Sequence, residues 1–531
     1  MRAFHGGESG IRTHGTLRYT RFPSVRLKPL GHLSRQNRQT LRASLTLPSL
    51  IYPSKDPLPI HRRPVRRESR SVKVKRTMSS QTPVTQSVNR SRFRTELADL
   101  LRLAIPVVLS ELGWMAMSIV DTIMVGRLSP AAIGAVGISS AIFYMPALFG
   151  IGLLLGLDTL VAQAYGRGDF DDCHRALAQG VYLAIAYTPL AMLVVGFAPH
   201  LFPLIGITDA VRAPAQEYIQ WLNFSALPLL IYVAFRRYLQ GVGKVRPVTF
   251  ALISANLVNW FGNWALIYGK FGLPAMGVRG SALSTVVARI YMAGVLIWWA
   301  WRHERERGHP LFAHWPGVRP ALFRRLLQLG WPAASQLLFE VGAFSLATLM
   351  AGRLSPDILA AHQIVLNSAS LTYMVPLGVS AAAAISVGHA VGAGNRPLAR
   401  RNGSMAIGLG VVFMALAATA FLTIPQALIH VYTHDPQTVL VGARLLAVAA
   451  VFQIFDGIQG IGTGALRGLG KTRGPMLVNL VAYGVIGLPI GYLLCFRTPF
   501  GIYGLWTGLT LALIFAAALV LTMWLKDSRV V

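Results

Sequence analysis

Charged residues are scarce in this sequence. They make up 13% of its 531 residues, about half the share found in a typical soluble domain. Three long runs, residues 181–197, 405–424 and 505–525, contain no charged side chain. Each is close to or above the roughly 18 apolar residues that predict a membrane-spanning helix. With a hydrophobic share of 53% and a mean hydropathy of +0.51, the composition excludes a soluble protein and indicates an integral membrane protein.

Cysteine is also scarce, with only Cys173 and Cys495 in the chain. One lies in a predicted loop and the other in a predicted span, so the spacing excludes a disulfide framework or a cysteine metal site. Acidic residues number 20 against 50 Lys and Arg, which gives a formal net charge of +30. Half of this charge lies in residues 1–77, which contain 18 basic and three acidic residues.

The basic segment 1–77 is rich in Arg, Ser and Pro and has no helical apolar period. Three interpretations are open: a disordered basic tail, an organellar transit peptide, or sequence upstream of the true start. We favour the last, because Met78 opens a short polar stretch that suits a cytosolic tail, and we assign residues 1–97 to an extension outside the fold. The segment has few aromatic residues and no known binding module, so we expect no nucleic-acid partner.

Apolar windows from residue 98 onwards predict about twelve spans and therefore an all-α membrane protein. Lys and Arg in alternate loops number 18 on one side and seven on the other. The first set, which counts Arg236, Arg237 and Arg467 as loop residues, is predicted to be cytoplasmic. Because twelve is even, both termini are predicted to be cytoplasmic as well. The predicted span centres lie near residues 112, 145, 187, 228, 256, 290, 337, 370, 414, 452, 484 and 515.

The sequence repeats itself at an offset of 226 residues. "MVGRLSPAAIGA" (124–135) and "MAGRLSPDILAA" (350–361) share five consecutive identical residues, and "VAQAYGRGD" (161–169) matches "VGHAVGAGN" (387–395). We interpret "GRLSP" as a turn that ends one helix and starts the next. Six spans per half is an even number, so the two halves enter the membrane in the same direction, as parallel repeats.

These repeats predict two pseudo-symmetric lobes of six helices around a central cleft. The first lobe covers residues 98–302 and the second covers 321–531, which includes a short cytoplasmic tail. A charged cytoplasmic linker, residues 303–320, joins them. A cleft that can open to either side is typical of a transporter.

Ionisable residues inside the spans are the candidate functional residues, because burying them in a membrane is costly. Glu340 and Asp456 lie mid-span in the second lobe, and Gln453 and Gln459 flank Asp456. Two neighbouring carboxylates could bind a monovalent cation, such as a transient sodium ion, or share a proton. The alternative is that each is a structural group held by donors on neighbouring helices.

A second polar set lies in the first lobe. Asp121 ends the first span, and Asn259 and Asn263 are four residues apart on one face of the fifth. Glu111 precedes Asp121 by ten residues and could line the same cavity. The alternative for the two amides is a clamp between helices. The other intramembrane ionisable residues are Asp158, which could be such a clamp, and Arg289, His362 and His389.

Several motifs resemble those of the multidrug and toxic compound extrusion (MATE) family. They are "IPVVLSELGWMAMSIVDTIMVGRLSP" (105–130), "LDTLVAQAYG" (157–166) and "LRGLGKTRGPMLVNLVAYGVIGLPIGY" (466–492). The resemblance covers about residues 98–527. It implies an antiporter that expels bulky cationic or aromatic compounds in exchange for sodium ions or protons, with no cofactor and no enzymatic activity.

The resemblance also implies roles for individual residues. "LLFEVG" and "IFDGIQ" match the family's second-lobe motifs, which implies that cations bind at Glu340 and Asp456. Other members of the family have a site in the first lobe, and its residues correspond to Asp121, Asn259 and Asn263. The chain departs from its nearest branch at Phe452, where that branch has tyrosine. It also departs at Glu111, which adds a carboxylate to the first lobe.

The resemblance further implies a monomer in the inner membrane of a bacterium, with the lipid bilayer and small cationic or aromatic compounds as its partners. One alternative is a lipid-linked oligosaccharide flippase of the same wider superfamily, which would be expected to line the cleft with arginine to meet pyrophosphate. The spans are predicted to contain only Arg289. A membrane-embedded enzyme would need converging catalytic groups or a metal cluster, and the sequence has no such pattern.

Overall fold

A computed structural model describes residues 84–530 except 204–206, 309–310 and 312–314, and it describes side chains from Phe93 to Arg529. The interpretations of residues 1–77 and of Met78 as the start lie outside the described residues. Within the described part the structure is helical and contains no strand, as the prediction of an all-α protein requires.

Eleven helices are long and apolar enough to cross a membrane, and a bent pair makes a twelfth. This confirms the predicted number of about twelve spans. Spans 1 to 6 are Phe93–Gly126, Pro130–Gly166, Phe170–Leu201, Asp209–Asn223 with Ala226–Gly241, Arg246–Tyr268 and Gly277–Glu306. Spans 7 to 12 are Pro320–Ala351, Pro356–Gly392, Arg396–Thr423, Pro436–Gly468, Arg473–Phe496 and Gly501–Arg529.

The repeated "GRLSP" motif starts the second helix of each lobe. The Ser129 hydroxyl accepts a hydrogen bond from the backbone N–H of Ala132, and Ser355 does the same with Ile358. A proline follows each serine at the first helical position, where its missing N–H costs nothing. The motif is therefore a helix cap at both places, in agreement with the interpretation from sequence.

Spans 4 and 11 both depart from a regular α-helix. Span 4 bends by 46° between its two helical segments. In span 11, Leu480–Gly487 is a π-helix that ends two residues before Pro489. Proline cannot continue the α-helical hydrogen-bond ladder, and π-helical turns are often found at functional sites.

Each lobe has its own hydrophobic core, and each core includes side chains from the first span of the other lobe. The core of spans 1 to 6 also contains Leu326 and Ala334 of span 7. The core of spans 7 to 12 also contains Leu100 and Ala104 of span 1. Spans 1 and 7 therefore cross between the lobes at corresponding places, as expected for two related halves.

Spans 2 and 8 of the two lobes contact each other near the ends of both helices, where small residues bring the backbones together. A Cβ atom on Gly166 would lie 2.2 Å from the carbonyl oxygen of His389, and one on Gly392 would lie 2.2 Å from that of Gln163. Gly166 and Gly392 are separated by the 226-residue repeat. The close crossing is consequently pseudo-symmetric and requires glycine at both positions.

Two hydrogen bonds between the lobes follow the same symmetry. The Gln163 amide donates to the carbonyl of Gly468 at 3.0 Å. His389, its repeat counterpart, donates through Nε2 to the carbonyl of Gly241 at 2.6 Å. The acceptors are themselves equivalent, since each is the first glycine of "LQGVGK" or "LRGLGK". The aligned polar residues at 163 and 389 thus tie each lobe to the end of a helix in the other.

Candidate functional site

Glu340 and Asp456 lie together inside the second lobe, as the sequence predicted. They come from spans 7 and 10, and their charges are close enough to interact. The Tyr373 hydroxyl of span 8 lies close enough to the Glu340 carboxylate to interact with it. Tyr373 can approach because position 460 is glycine: a Cβ atom there would lie 2.6 Å from the tyrosine oxygen.

This acid pair has no basic partner. Among the described residues, no Lys, Arg or His lies within ion-pair distance of Glu340 or Asp456. Asp456 is buried, and its Oδ1 has no hydrogen-bond partner. Two carboxylates in a low-dielectric interior require a cation or a proton to balance their charge.

Polar side chains on spans 8, 10 and 11 surround Asp456. Gln453 accepts a hydrogen bond from Thr372, and Gln459 donates to Asn479 Oδ1 at 3.1 Å. Several buried polar atoms remain without a partner, an arrangement that suits a bound ion or water. These atoms are Asp456 Oδ1, Gln453 Nε2, Gln459 Oε1, Thr463 Oγ1, Asn479 Nδ2 and the Tyr483 hydroxyl.

Aromatic rings form one side of this acid site. Phe452 is buried, with its ring centroid 5.5 Å from that of Trp506 and 5.9 Å from that of Phe344. Tyr483, in the π-helical segment, lies 6.0 Å from Phe344. Sequence reasoning noted the hydroxyl that is missing at Phe452 but overlooked those of Tyr373 and Tyr483. A tyrosine in an apolar span is an ordinary sign of the membrane interface, so their positions along the chain gave no sufficient signal.

The first-lobe residues Asp121, Asn259 and Asn263 also come together, and here both oxygens of the aspartate accept hydrogen bonds, although Asn259 Nδ2 and Asn263 Oδ1 have no partner. Asn263 donates to Asp121 Oδ1 at 2.6 Å, and Thr285 donates to the other carboxylate oxygen at 3.4 Å. The Asn263 amide also lies 3.3 Å from Asn259 Oδ1. Arg289 is close enough for its charge to act on Asp121. Unlike Asp456, Asp121 therefore has protein donors on both oxygens and a positive charge nearby.

Glu111 belongs to a different group of residues. It forms an ion pair with Arg236 of span 4, and both side chains are largely buried. In the same part of the lobe, the Trp114 indole donates to the Tyr144 hydroxyl. Among the described residues, no hydrogen bond joins Glu111 to Asp121 or its amides.

Three of the arginines assigned to loops from the sequence lie buried inside helices instead. Arg236 and Arg237 lie in Ala226–Gly241, Arg467 lies in Pro436–Gly468, and all three are buried. That assignment was wrong because the charges were read as the ends of apolar runs, whereas carboxylates elsewhere in the fold allow these helices to continue. Arg289 is buried as predicted, bonded to Ser225, with its guanidinium carbon 4.8 Å from the Phe143 ring centroid.

Asp158 joins the two lobes through an ion triad. Its carboxylate Oδ2 lies 3.5 Å from Arg237 Nη1 of its own lobe and 3.2 Å from Arg467 Nε of the other. The neighbouring Thr159 hydroxyl donates to the Arg467 carbonyl at 2.5 Å. The sequence suggested that Asp158 could be a helix clamp, and the structure shows a clamp between lobes.

His362 is held by structural contacts. Its Nε2 pairs with the Thr348 hydroxyl at 3.0 Å, and Nδ1 accepts from the Trp506 indole at 3.0 Å. Both ring nitrogens are therefore occupied by neighbouring helices. Trp506 in turn packs on Phe452, so His362 supports the aromatic side of the acid site from behind.

Comparison with known families gives a match to both halves of the chain. The model of the family described as MatE matches residues 106–265 and 332–493, two ranges whose first residues differ by the 226-residue repeat. The chain belongs to the MATE family. It is thus a multi-pass membrane protein of two related lobes.

Individual relatives support the MATE assignment over most of the chain. "Probable multidrug resistance protein NorM" of Mesorhizobium japonicum is 34% identical over 446 residues, covering 82% of this chain and 95% of that protein. "Multidrug resistance protein NorM" of Burkholderia vietnamiensis is 37% identical over 445 residues, with the same coverage. The crystal structure of the eukaryotic MATE transporter AtDTX14 superposes with a TM-score of 0.73 at 22% identity, covering 82% of this chain and 98% of that one.

Proposed function

We propose that this protein is a secondary active multidrug antiporter that exports bulky cationic or aromatic compounds in exchange for sodium ions or protons. The observation that carries the proposal is the second-lobe acid pair of Asp456, which is buried, and Glu340, which is partly buried. The pair has no basic partner among the described residues. The relatives named as multidrug resistance proteins support drugs as the exported compounds.

The coupling ion is proposed to bind at the second-lobe acid pair. An antiporter needs a site whose occupancy differs between its two half-cycles, because otherwise the ion gradient cannot bias the drug step. Asp456 Oδ1, Gln459 Oε1 and the Tyr483 hydroxyl are oxygen atoms without partners, and oxygen ligands suit a sodium ion. A proton shared by Glu340 and Asp456 would satisfy the same charge requirement.

The side chains around the second-lobe acid pair also support bulky organic cations as the exported compounds. Phe344, Phe452 and Tyr483 place aromatic rings beside two carboxylates. Aromatic faces and carboxylates both attract organic cations. A bulky cation and the coupling ion would then compete for one negative region, which is a direct route to exchange.

Alternating access is proposed to proceed by separating the inter-lobe contacts. The glycine crossing of spans 2 and 8, the Gln163 and His389 hydrogen bonds and the Asp158 triad all lie toward the loops after residues 166 and 392. The positive-inside rule assigns those loops to the cytoplasm. The structure would then represent a state closed on the cytoplasmic side, in a protein of the bacterial inner membrane with both termini cytoplasmic.

The flippase alternative would need arginines free to bind pyrophosphate. Among the described residues four arginines are buried rather than one, but each has a protein partner. Arg236 pairs with Glu111, Arg237 and Arg467 pair with Asp158, and Arg289 bonds to Ser225. These charges are already engaged, which favours the antiporter. We likewise propose no enzymatic activity and no cofactor.

The proposal is tested by transport in proteoliposomes under separate sodium and proton gradients, with a fluorescent organic cation as substrate. Glu340→Gln and Asp456→Asn keep volume and hydrogen bonding but remove the charge, and each should abolish gradient-driven efflux in a folded protein. Glu217→Gln and Asp357→Asn, which remove exposed acids, are the matched controls and should transport normally. Full efflux by the double variant Glu340→Gln/Asp456→Asn would reject the site.

Asp121→Asn is the contrasting variant for the first lobe. Because the Asp121 oxygens accept from Asn263 and Thr285, the substitution places an N–H₂ group opposite existing donors. We expect a partial or drug-dependent defect with ion coupling retained. If the acid pair of the second lobe proves dispensable, Asp121 with Asn259 and Asn263 becomes the leading candidate for the ion site.

A further inference from the structure

A basic cavity lies outside both acid clusters. It has a volume of about 520 Å³ and lies where spans 7, 10, 11 and 12 meet, on the predicted cytoplasmic side. Its cationic lining residues come from three separate parts of the chain. They are Arg325 of span 7, Lys471 and Arg473 at the turn into span 11, and Lys526 at the end of span 12.

These four cations lack the carboxylate partners found elsewhere on the same side. Among the residues that the structure describes, no ion pair involves any of them. By contrast, Arg175 pairs with Asp172 at 3.0 Å and Arg302 with Glu306 at 2.9 Å.

These four cations line a single cavity, and this distinguishes them from positive charge dispersed over the cytoplasmic surface. Four like charges that line one half-open cavity repel one another, and together they attract an anion more strongly than the same charges spread over the surface would. Asp527, the only acid among the cavity's lining residues, leaves an excess of positive charge.

The chemistry of the lining indicates a phosphate group. Arginine can bind two phosphate oxygens at once and lysine acts as a point charge. Met523 and Leu329 add apolar surface to the wall. Basic pockets between transmembrane helices on the cytoplasmic side are suited to phosphorylated lipid headgroups. We propose that the cavity binds a phosphate-bearing anion, the chemistry that an anionic phospholipid headgroup and a soluble phosphate share.

The test measures phosphatidylglycerol binding to the full-length protein in neutral detergent by native mass spectrometry. Phosphatidylcholine of the same acyl chains is the lipid control, and inorganic phosphate is added as a competitor. The wild-type protein should retain phosphatidylglycerol in preference to phosphatidylcholine. Lys471→Gln/Arg473→Gln should bind it roughly 10- to 30-fold more weakly.

A matched variant separates the cavity from general positive charge. Arg319→Gln/Arg324→Gln removes two exposed cations near the same end of span 7 that do not line the cavity, so its binding should equal that of the wild type. If Lys471→Gln/Arg473→Gln does not elute as a folded protein, Lys526→Gln replaces it as the cavity variant. We expect Lys526→Gln to weaken binding roughly fivefold.

The outcomes separate the two sources of phosphate. Retention of phosphatidylglycerol that inorganic phosphate does not displace supports a lipid headgroup. Phosphate binding without preference between the two lipids, weakened by Lys471→Gln/Arg473→Gln, supports a soluble ligand. Equal weakening in the cavity and control variants, or no binding of either probe by the wild type, overturns the proposal.

Discussion

Asp158 and Arg467 belong to different lobes, yet the aspartate Oδ2 lies 3.2 Å from the arginine Nε. The same carboxylate oxygen faces Arg237 of its own lobe at 3.5 Å. The repeat does not require this contact, because the positions equivalent to Asp158 and Arg467 are Ala384 and Gln240. The ion triad is therefore an asymmetric addition to a symmetric crossing of spans 2 and 8.

Replacing Asp158 should be more damaging than replacing Arg467. Asp158→Asn leaves two buried arginines without a counter-charge, and breaking a buried ion pair in this way costs about 3–5 kcal/mol. Arg467→Gln leaves the pair of Asp158 with Arg237 in place, so its cost should be smaller. Thermal unfolding of the purified protein gives the order of the two variants.

The same variants should also open the inter-lobe contact. Spin labels at positions 167 and 396, both exposed, should show a longer and broader distance distribution in Asp158→Asn and Arg467→Gln. Asp172→Asn, which removes a partly exposed acid paired with Arg175, should change stability by about 0–1 kcal/mol and leave the distances unchanged. Identical distances in all variants would show that the triad does not hold the lobes together.

The glycine crossing should be intolerant of a single methyl group. In Gly166→Ala or Gly392→Ala the new Cβ atom would meet a backbone oxygen at 2.2 Å, and the helices would have to separate. We expect a loss of about 1–3 kcal/mol and reduced transport. Gly408→Ala is the control, since a Cβ atom there meets nothing within 4 Å and alanine favours the helix. Transport by Gly166→Ala at the level of this control would contradict the close crossing.

Phe452 bears on which ion drives transport. Its ring packs between Trp506 and Phe344 beside the acid site, and it lacks the hydroxyl that the family resemblance leads us to expect at this position. We expect protons to drive efflux at least as well as sodium ions, and Phe452→Tyr to shift the preference toward sodium. Efflux rates under separate gradients measure the shift. Phe452→Leu, which removes the ring without adding oxygen, should weaken transport with both ions. If Phe452→Leu shifted the ion preference toward sodium as much as Phe452→Tyr does, a role for the hydroxyl would be ruled out.

The orientation in the membrane can be tested with reporter fusions. Fusions after Lys244, Arg307 and Lys471 should report the cytoplasm, because those loops contain the excess of basic residues. Fusions near Leu128 and Leu354 should report the outside. If these last two reported opposite sides, the parallel-repeat arrangement would fail, since it needs an even number of spans between them.

Much of the architecture follows from local patterns in the sequence. Runs of apolar residues predict the spans, because each must be long enough to cross the hydrocarbon core. The "GRLSP" repeat predicts the equivalent turns of the two lobes, and Ser129 and Ser355 cap helices as this requires. The acids Glu340, Asp456 and Asp121 are identifiable because an ionisable group in an apolar run is conspicuous without any knowledge of its neighbours.

Only the tertiary structure decides how those residues are paired. Arg237 and Arg467 resemble loop residues in the sequence, and their burial depends on a carboxylate at position 158, far away along the chain in both cases. The hydroxyls of Tyr373 and Tyr483 approach the acid pair only through the packing of span 8 against span 10 and of span 11 against span 7. Hydropathy and spacing determine where a helix lies along the chain, whereas its rotation and its neighbours are determined by side-chain packing. That packing leaves Asp456 with an unpartnered oxygen while Asp121 is fully bonded.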